Sequence, residues 1–184
     1  MSQISIILPT YNVEKYIARA LESCINQSFK DIEIIAVDDC GSDKSIDIAK
    51  EYASKDDRIK IIHNEENLKL LRARYEGVKV ATSPYIMFLD PDDYLELNAC
   101  EECIKILDMG GGKIDLLYFE FYNKTKSFKK NITLLSTLEY FKNVALGKSY
   151  WNLCSKLIAK NKYLESFSLL ENKYIKIIMA EKMH

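Results

Sequence analysis

Two rhythms of apolar and polar positions share the first ninety residues. Short apolar runs rich in β-branched residues, Ile4 to Leu8, Ile32 to Val37 and Tyr85 to Leu89, have the length of buried strands, and Arg58 to His63 makes a further one. Between them the period lengthens. Tyr16 to Gln27 puts Ile17, Leu21, Cys24 and Ile25 on one helical face; Lys44 to Ser54 turns Ile48, Ala49 and Tyr52 inward; Leu70 to Val80 is a third helix, ended by the turn around Ser83 and Pro84. Strand and helix in such short alternation predict an α/β fold, a Rossmann-like and mainly parallel sheet flanked by helices and joined by right-handed crossovers.

After Asp93 the pattern changes. A helix is predicted from Leu95 to Leu107, running into Gly110, Gly111 and Gly112, then an aromatic-rich strand from Ile114 to Tyr122. The lysine-rich stretch Asn123 to Asn131 has no period and is expected to be an exposed loop. Helices are predicted over 137–146 and 151–166, and the start of another over 177–184. This divides the chain into residues 1–109, which hold the regular alternation, and 110–184.

Two acidic clusters about fifty residues apart give the first half its chemistry: Asp38 and Asp39 close IIAVDD, and Asp90, Asp92 and Asp93 close YIMFLDPDD. Each follows a predicted strand, at the end where open α/β sheets bind ligands. Carboxylates crowded there repel one another unless a cation neutralises them. Hard divalent ions take one or two carboxylates and leave other positions to water and phosphate oxygens, so a metal-assisted nucleotide site is expected.

Composition narrows the alternatives. With 26 basic and 27 acidic residues the net charge is −1, which gives no electrostatic reason for a nucleic-acid partner. No apolar run is long enough for a membrane span, and the N-terminus has strand character, so a cytoplasmic chain is expected, with membrane contact peripheral at most. Five cysteines, an odd count in that setting, argue against disulfides. Cys100 and Cys103 have zinc-like spacing but no second ligand pair, and are read as core residues.

The ordered motifs ILPTYN (7–12), VDDCGSD (37–43), Asn67 with Ala73, Arg74 and Gly77, and FLDPDD (88–93) resemble those of the inverting glycosyltransferases of family 2, whose fold is GT-A. The resemblance implies roles position by position. Tyr11 would stack on the nucleotide base, with Pro9 and Thr10 shaping the loop around it; a tyrosine that only packs the loop is the alternative. Asp39 would accept from the base imide N–H, which suits uracil or thymine, and Asp38 either shares in the site or only orients the loop. Arg74, with Arg72 as neighbour, would approach the base or diphosphate. Asp90 would contact the ribose and Asp92 would hold Mn or Mg, while Asp93 either assists or caps a helix beginning near Tyr94.

The same resemblance places a general base in the second half. Trp151, Asn152 and Lys156 resemble the acceptor-side segment, and Glu181 falls where the base would lie. The acidic pair expected there reads Glu181, Lys182, and only two residues follow. A shortened or truncated chain that binds donor but transfers sugar slowly or not at all is therefore expected. A non-catalytic protein of the same fold, binding the donor or a partner glycosyltransferase, is the alternative. Lys69 stands where a glycine is usual, and Tyr75 where an asparagine is usual.

Other nucleotide-using classes fit less well. Nucleotidyltransferases and dinucleotide oxidoreductases need glycine-rich loops after the first strand, where this chain has Pro9, Thr10, Tyr11 and Asn12. A receiver domain carries its acidic pair after the first strand, not the second. The motif of processive synthases, Gln-x-x-Arg-Trp, is absent from the sequence, which favours single additions. The expected partners are a nucleotide sugar, UDP-linked by preference, and a glycan or glycolipid acceptor of the bacterial cell surface.

Overall fold

The structure is a computed structural model, and it describes residues 2–111, 114–118, 133–134, 154 and 156–173. Four strands are parallel: β1 (Ile4–Thr10), β2 (Ile32–Asp38), β3 (Ile59–His63) and β4 (Tyr85–Phe88). Three more, β5 (Leu116–Tyr118), β6 (Thr133–Leu134) and β7 (Lys156–Ala159), extend the sheet in antiparallel pairings. The order across the sheet is β3-β2-β1-β4-β7-β5-β6. In register, Thr10 stands beside Asp38 and Ile7 beside Phe88, so the ends of β1, β2 and β4 come together at one edge.

Alternation along the central strands feeds two cores. Ile4, Ile6, Leu8, Ile34, Ala36 and Met87 point to one face, where α1 (Ile17–Ile25), α2 (Ser45–Ala53) and α4 (Ala99–Met109) cover them. Ile7, Ile35, Val37, Ile86 and Phe88 point to the other, against α3 (Lys69–Val80) and α5 (Lys160–Lys173). A strand covered on both faces must be apolar throughout, which is why these runs lack the polar alternation of a half-exposed sheet. Cys100 and Cys103 belong to the first core as free thiols, and burial pushes the Cys103 thiol up to about 12. Gly77 lets α3 lie directly on the sheet: a Cβ there would stand 2.5 Å from Ile7 Cγ2 and 3.0 Å from Val37 Cγ2.

Two predicted elements are corrected. The helix expected from Leu95 begins at Ala99, because tertiary hydrogen bonds claim the segment before it. Leu95 N donates to Ser23 Oγ, the Gln27 amide donates to Glu96 O, and Ser28 N donates to Leu97 O. Asp93 is consequently not the cap; Asn98 holds that position. The helix expected over 151–166 is instead strand then helix, since Lys156–Ala159 pairs with both β4 and β5 before α5 starts at Lys160. A helical period in the sequence lost to the open edge of β4, whose backbone groups need partners. Of the strand expected over 114–122, residues 116–118 are found as β5. The predicted loop 123–131, the helix 137–146, the segment 177–184 and residues Trp151, Asn152, Glu181 and Lys182 lie outside the described residues.

Candidate nucleotide site

The edge where β1, β2 and β4 end opens into a pocket of about 300 Å³, within the range of small-ligand sites. Pro9 and Tyr11 form one wall, Asp39 the floor beside β2, Leu70 and Ala73 the α3 side, and Asp90, Pro91 and Asp92 the side after β4. Five of the residues singled out in the sequence, Pro9, Tyr11, Asp39, Asp90 and Asp92, therefore border one cavity. Thr10 is buried behind it, its hydroxyl turned back to Leu8 O at 3.1 Å. Tyr11 is 47% exposed at the mouth, a large aromatic surface available to a planar ligand.

The loops that carry Tyr11 and Asp39 are laced together. Ser42 N donates to Asn12 Oδ1 (2.8 Å), Val13 N to Ser45 Oγ (2.9 Å), Glu14 N to Asp43 Oδ2 (2.8 Å) and Lys44 N to Glu14 Oε2 (3.1 Å). Burial works against ionising Asp43, yet bonds from the Ser45 hydroxyl and the Glu14 and Ser45 amides outweigh it and hold its carboxyl below the usual range. At Gly41 a Cβ would lie 2.9 Å from Asn12 N, so only glycine lets the two loops approach this closely. Asn12 and Asp43, which lie within the ILPTYN and VDDCGSD motifs, hold this seam.

Asp39 is almost fully buried and already engaged. Its Oδ1 accepts from Asn64 Nδ2 and Leu68 N, both at 2.8 Å, and its Oδ2 accepts from Lys69 N at 3.0 Å. A carboxylate offers about four acceptor positions, so one remains toward the pocket. Asp38 stands outside the cavity, accepting from Cys40 N and pairing with His63 Nδ1 at 2.8 Å. Three non-glycine residues adopt left-handed backbone around this edge: Asn12 (φ 53°), Cys40 (φ 60°) and Lys69 (φ 67°). Such positions cost about 1–2 kcal/mol each for an ordinary side chain, which explains why glycine suits the position of Lys69.

Behind the pocket Arg74 is buried, 8% exposed, and does not border the cavity. Its Nη2 donates to Asp90 Oδ1 at 2.6 Å, and its guanidinium lies over the Phe88 ring. On the opposite side Arg19 of α1 donates to the Asp92 carbonyl at 2.6 Å and stacks on Tyr94. No local signal marks Arg19, because only the packing of α1 brings it to this loop.

Around Asp93 burial, then the charges of Asp92 and Asp90, push the carboxyl above its usual range, with Arg19 opposing them. Like charge is thus concentrated at the strand tip. That environment fits a hard divalent cation held by Asp92, which is exposed toward the pocket, with other positions left to ligand oxygens. No cluster of three or more His, Cys, Asp or Glu side chains suited to a metal occurs among the described residues. None of the described helices is long and apolar enough to cross a membrane.

Comparison with known proteins adds the following. The sequence profile described as Glycosyl transferase family 2 matches residues 5–163. Putative glycosyltransferase EpsH of Bacillus subtilis is 41% identical over 114 residues, 62% of this chain and 32% of EpsH. Minor teichoic acid biosynthesis protein GgaB of the same organism is 40% identical over 115 residues, 61% of this chain and 13% of GgaB. The chain thus spans a third or less of the length of these two relatives. Among solved structures, S. aureus TarS 1–349 in complex with UDP-GlcNAc superposes with a TM-score of 0.72 at 24% identity, covering 94% of this chain and 48% of TarS 1–349.

Proposed function

The chain belongs to glycosyl transferase family 2 and has the GT-A fold, and we propose that residues 1–109 bind a nucleotide-sugar donor, UDP-linked by preference, for metal-dependent inverting transfer to a glycan acceptor. The observation that carries this reading is the convergence of Tyr11, Asp39, Asp90 and Asp92 on one pocket at the strand ends. Tyr11 stacks on the base, and the remaining acceptor position of Asp39 takes the imide N–H of uracil. Asp90 receives the ribose. Asp92 holds Mn or Mg, which when bound supplies Lewis-acid stabilisation of the departing nucleoside diphosphate. The UDP-GlcNAc complex of TarS supports the choice of donor. GgaB's part in minor teichoic acid biosynthesis supports a cell-surface polysaccharide as the product.

In this reading residues 110–184 form the acceptor side and Glu181 is the general base. It removes the acceptor hydroxyl proton as that oxygen attacks the anomeric carbon from the face opposite the leaving diphosphate, inverting the centre. A positioned base contributes ~10² to 10⁴-fold in rate. The 184-residue chain is expected to bind donor and transfer slowly or not at all; any brisk transfer it shows should be abolished by Glu181→Gln with donor binding intact, and transfer insensitive to that change would remove Glu181 from the mechanism.

Titration calorimetry with UDP, with and without Mn, tests the donor site. Asp92→Ala should fold, since the buried strand β4 is untouched, and should lose the metal-dependent part of binding. Tyr11→Ala should weaken UDP by roughly tenfold or more through loss of stacking, a contact worth about 1–3 kcal/mol per base, while keeping the metal requirement. Equal UDP affinity with and without Mn in the parent chain, unchanged by Asp92→Ala, refutes the metal site.

A further inference from the structure

We propose that Arg74 is a positioning residue that orients the Asp90 carboxylate for the donor, and does not itself touch the donor. In its binding consequences this rests on the donor reading above. Arg74 lies on α3 directly after Ala73, a residue that borders the pocket, yet it is itself buried and outside the pocket lining. Two contacts fix its end. Nη2 donates to Asp90 Oδ1 at 2.6 Å, and the same nitrogen lies 3.5 Å from Cys154 Sγ.

Cys154 lies just before the β7 segment, and its buried thiol stands beside the Arg74 guanidinium. Phe88 shields the guanidinium from one side, with ring and cation 5.5 Å apart. Nε is buried and has no partner among the described residues. Asp90 is the opposite case: its side chain is 32% exposed and borders the pocket. One carboxylate oxygen is therefore held by the buried guanidinium, while the partly exposed side chain borders the cavity. A carboxylate that must accept from ribose hydroxyls needs a fixed rotamer, and a charge-assisted bond to a buried guanidinium supplies it. Through Cys154 the start of β7 shares in that placement, which links the second half of the chain to the donor pocket.

Two measurements on the 184-residue chain test this. The first uses no ligand: thermal unfolding of Arg74→Met, Asp90→Asn and the double variant. Paired residues give a double shift smaller than the sum of the singles; additive shifts overturn the pairing. The second measures affinity with Mn for UDP, its 2′-deoxy and 3′-deoxy analogues, and UMP. Arg74→Met should weaken UDP roughly tenfold, as loss of a charged hydrogen bond does. It should also erase the preference for an intact ribose and leave the UDP-to-UMP ratio unchanged, and Arg74→Lys should restore part of the preference.

A collapsed UDP-to-UMP ratio with the ribose preference kept would make Arg74 a diphosphate ligand and end the proposal. If Arg74→Met does not fold, Arg74→Lys carries both measurements: a reduced ribose preference at constant UDP-to-UMP ratio supports the role, and an unchanged preference overturns it. If the parent chain ignores UDP, the donor reading falls and takes the positioning role with it. If the parent binds UDP and Arg74→Met keeps the ribose preference, only the positioning role falls.

Discussion

The two ends of the central strands use the same chemistry to opposite purposes. At the N-terminal end, Glu33 on β2 is 3% exposed and saturated with donors: Ser5 Oγ at 2.6 Å, Thr82 N at 2.6 Å, Thr82 Oγ1 at 2.9 Å, Ser83 N at 3.1 Å and Lys60 Nζ at 2.7 Å. Burial opposes its ionisation, but Lys60, Ser5 and Thr82 together win and bring its pKa down to about 2. At the C-terminal end Asp90 and Asp92 keep a face open to the pocket, and the charge of both raises Asp93 above its usual range. A carboxylate whose donors all come from its own chain stabilises the fold. One whose acceptor positions face a cavity is left for something the chain does not contain.

The largest expected effect falls at the closed end. Glu33→Gln should lower unfolding free energy by about 3 kcal/mol, the scale of losing a buried, multiply bonded charge, while leaving UDP affinity of the folded chain unchanged. The pH dependence has a definite sign. Because folding lowers the Glu33 pKa from 4.5 to about 2, its contribution is complete above the unfolded value and fades as pH falls toward the folded one. Urea titrations between pH 6 and 2 should show this acid-side loss in the parent and a shallower one in Glu33→Gln. Equal slopes would remove Glu33 from the account.

At the open end the effects are smaller and reversed. Lys69→Gly should stabilise by about 1 kcal/mol, because φ 67° strains a lysine and not a glycine. The bond from the residue-69 amide to Asp39 is made by the backbone and survives the change. A lower melting temperature would show that the lysine side chain contributes more than the strain removes. Asp93→Asn should stabilise the ligand-free chain by about 0.5 kcal/mol by removing one of three neighbouring charges. Its pH sign is opposite to that of Glu33. A carboxyl raised by folding is destabilising at neutral pH, and the penalty disappears as pH falls through its folded pKa. An Asp93→Asn variant less stable than the parent without metal would mean that repulsion does not govern this edge.

The sequence made the open end legible because its signals are local. Asp39 and Asp90 each end an apolar run, and position at a strand terminus follows from the run itself. Pro9, near the end of β1, and Tyr11, directly after it, follow the same logic. Glu33 is illegible for the same reason inverted: within IEIIAVD it resembles an exposed residue interrupting a strand, and only the pairing of β1 with β2 and the turn at Thr82 bring its donors. Arg19 and Cys154 reach the site by packing between distant segments. The helical period of 151–166 misled because a four-residue buried strand, Lys156–Ala159, is too short to establish a period of two. The start of α4 lies four residues later than its period suggests because Ser23 and Gln27, far away in sequence, engage the backbone groups of Leu95 and Glu96.

The seam between the Tyr11 loop and the Asp39 loop has a consequence for how such a site can be altered. Hydrogen bonds from Ser42 to Asn12, Val13 to Ser45, Glu14 to Asp43 and Lys44 to Glu14 join them, each pairing a residue of one loop with a residue of the other. Grafting only the Tyr11 loop from another protein would strip Asp43 and Ser45 of their partners and leave the recipient's second loop without its clamp. On the proposed donor reading the two loops form one cassette: a change of base preference would have to carry both loops together, and an insertion in one would have to be answered by a matching change in the other.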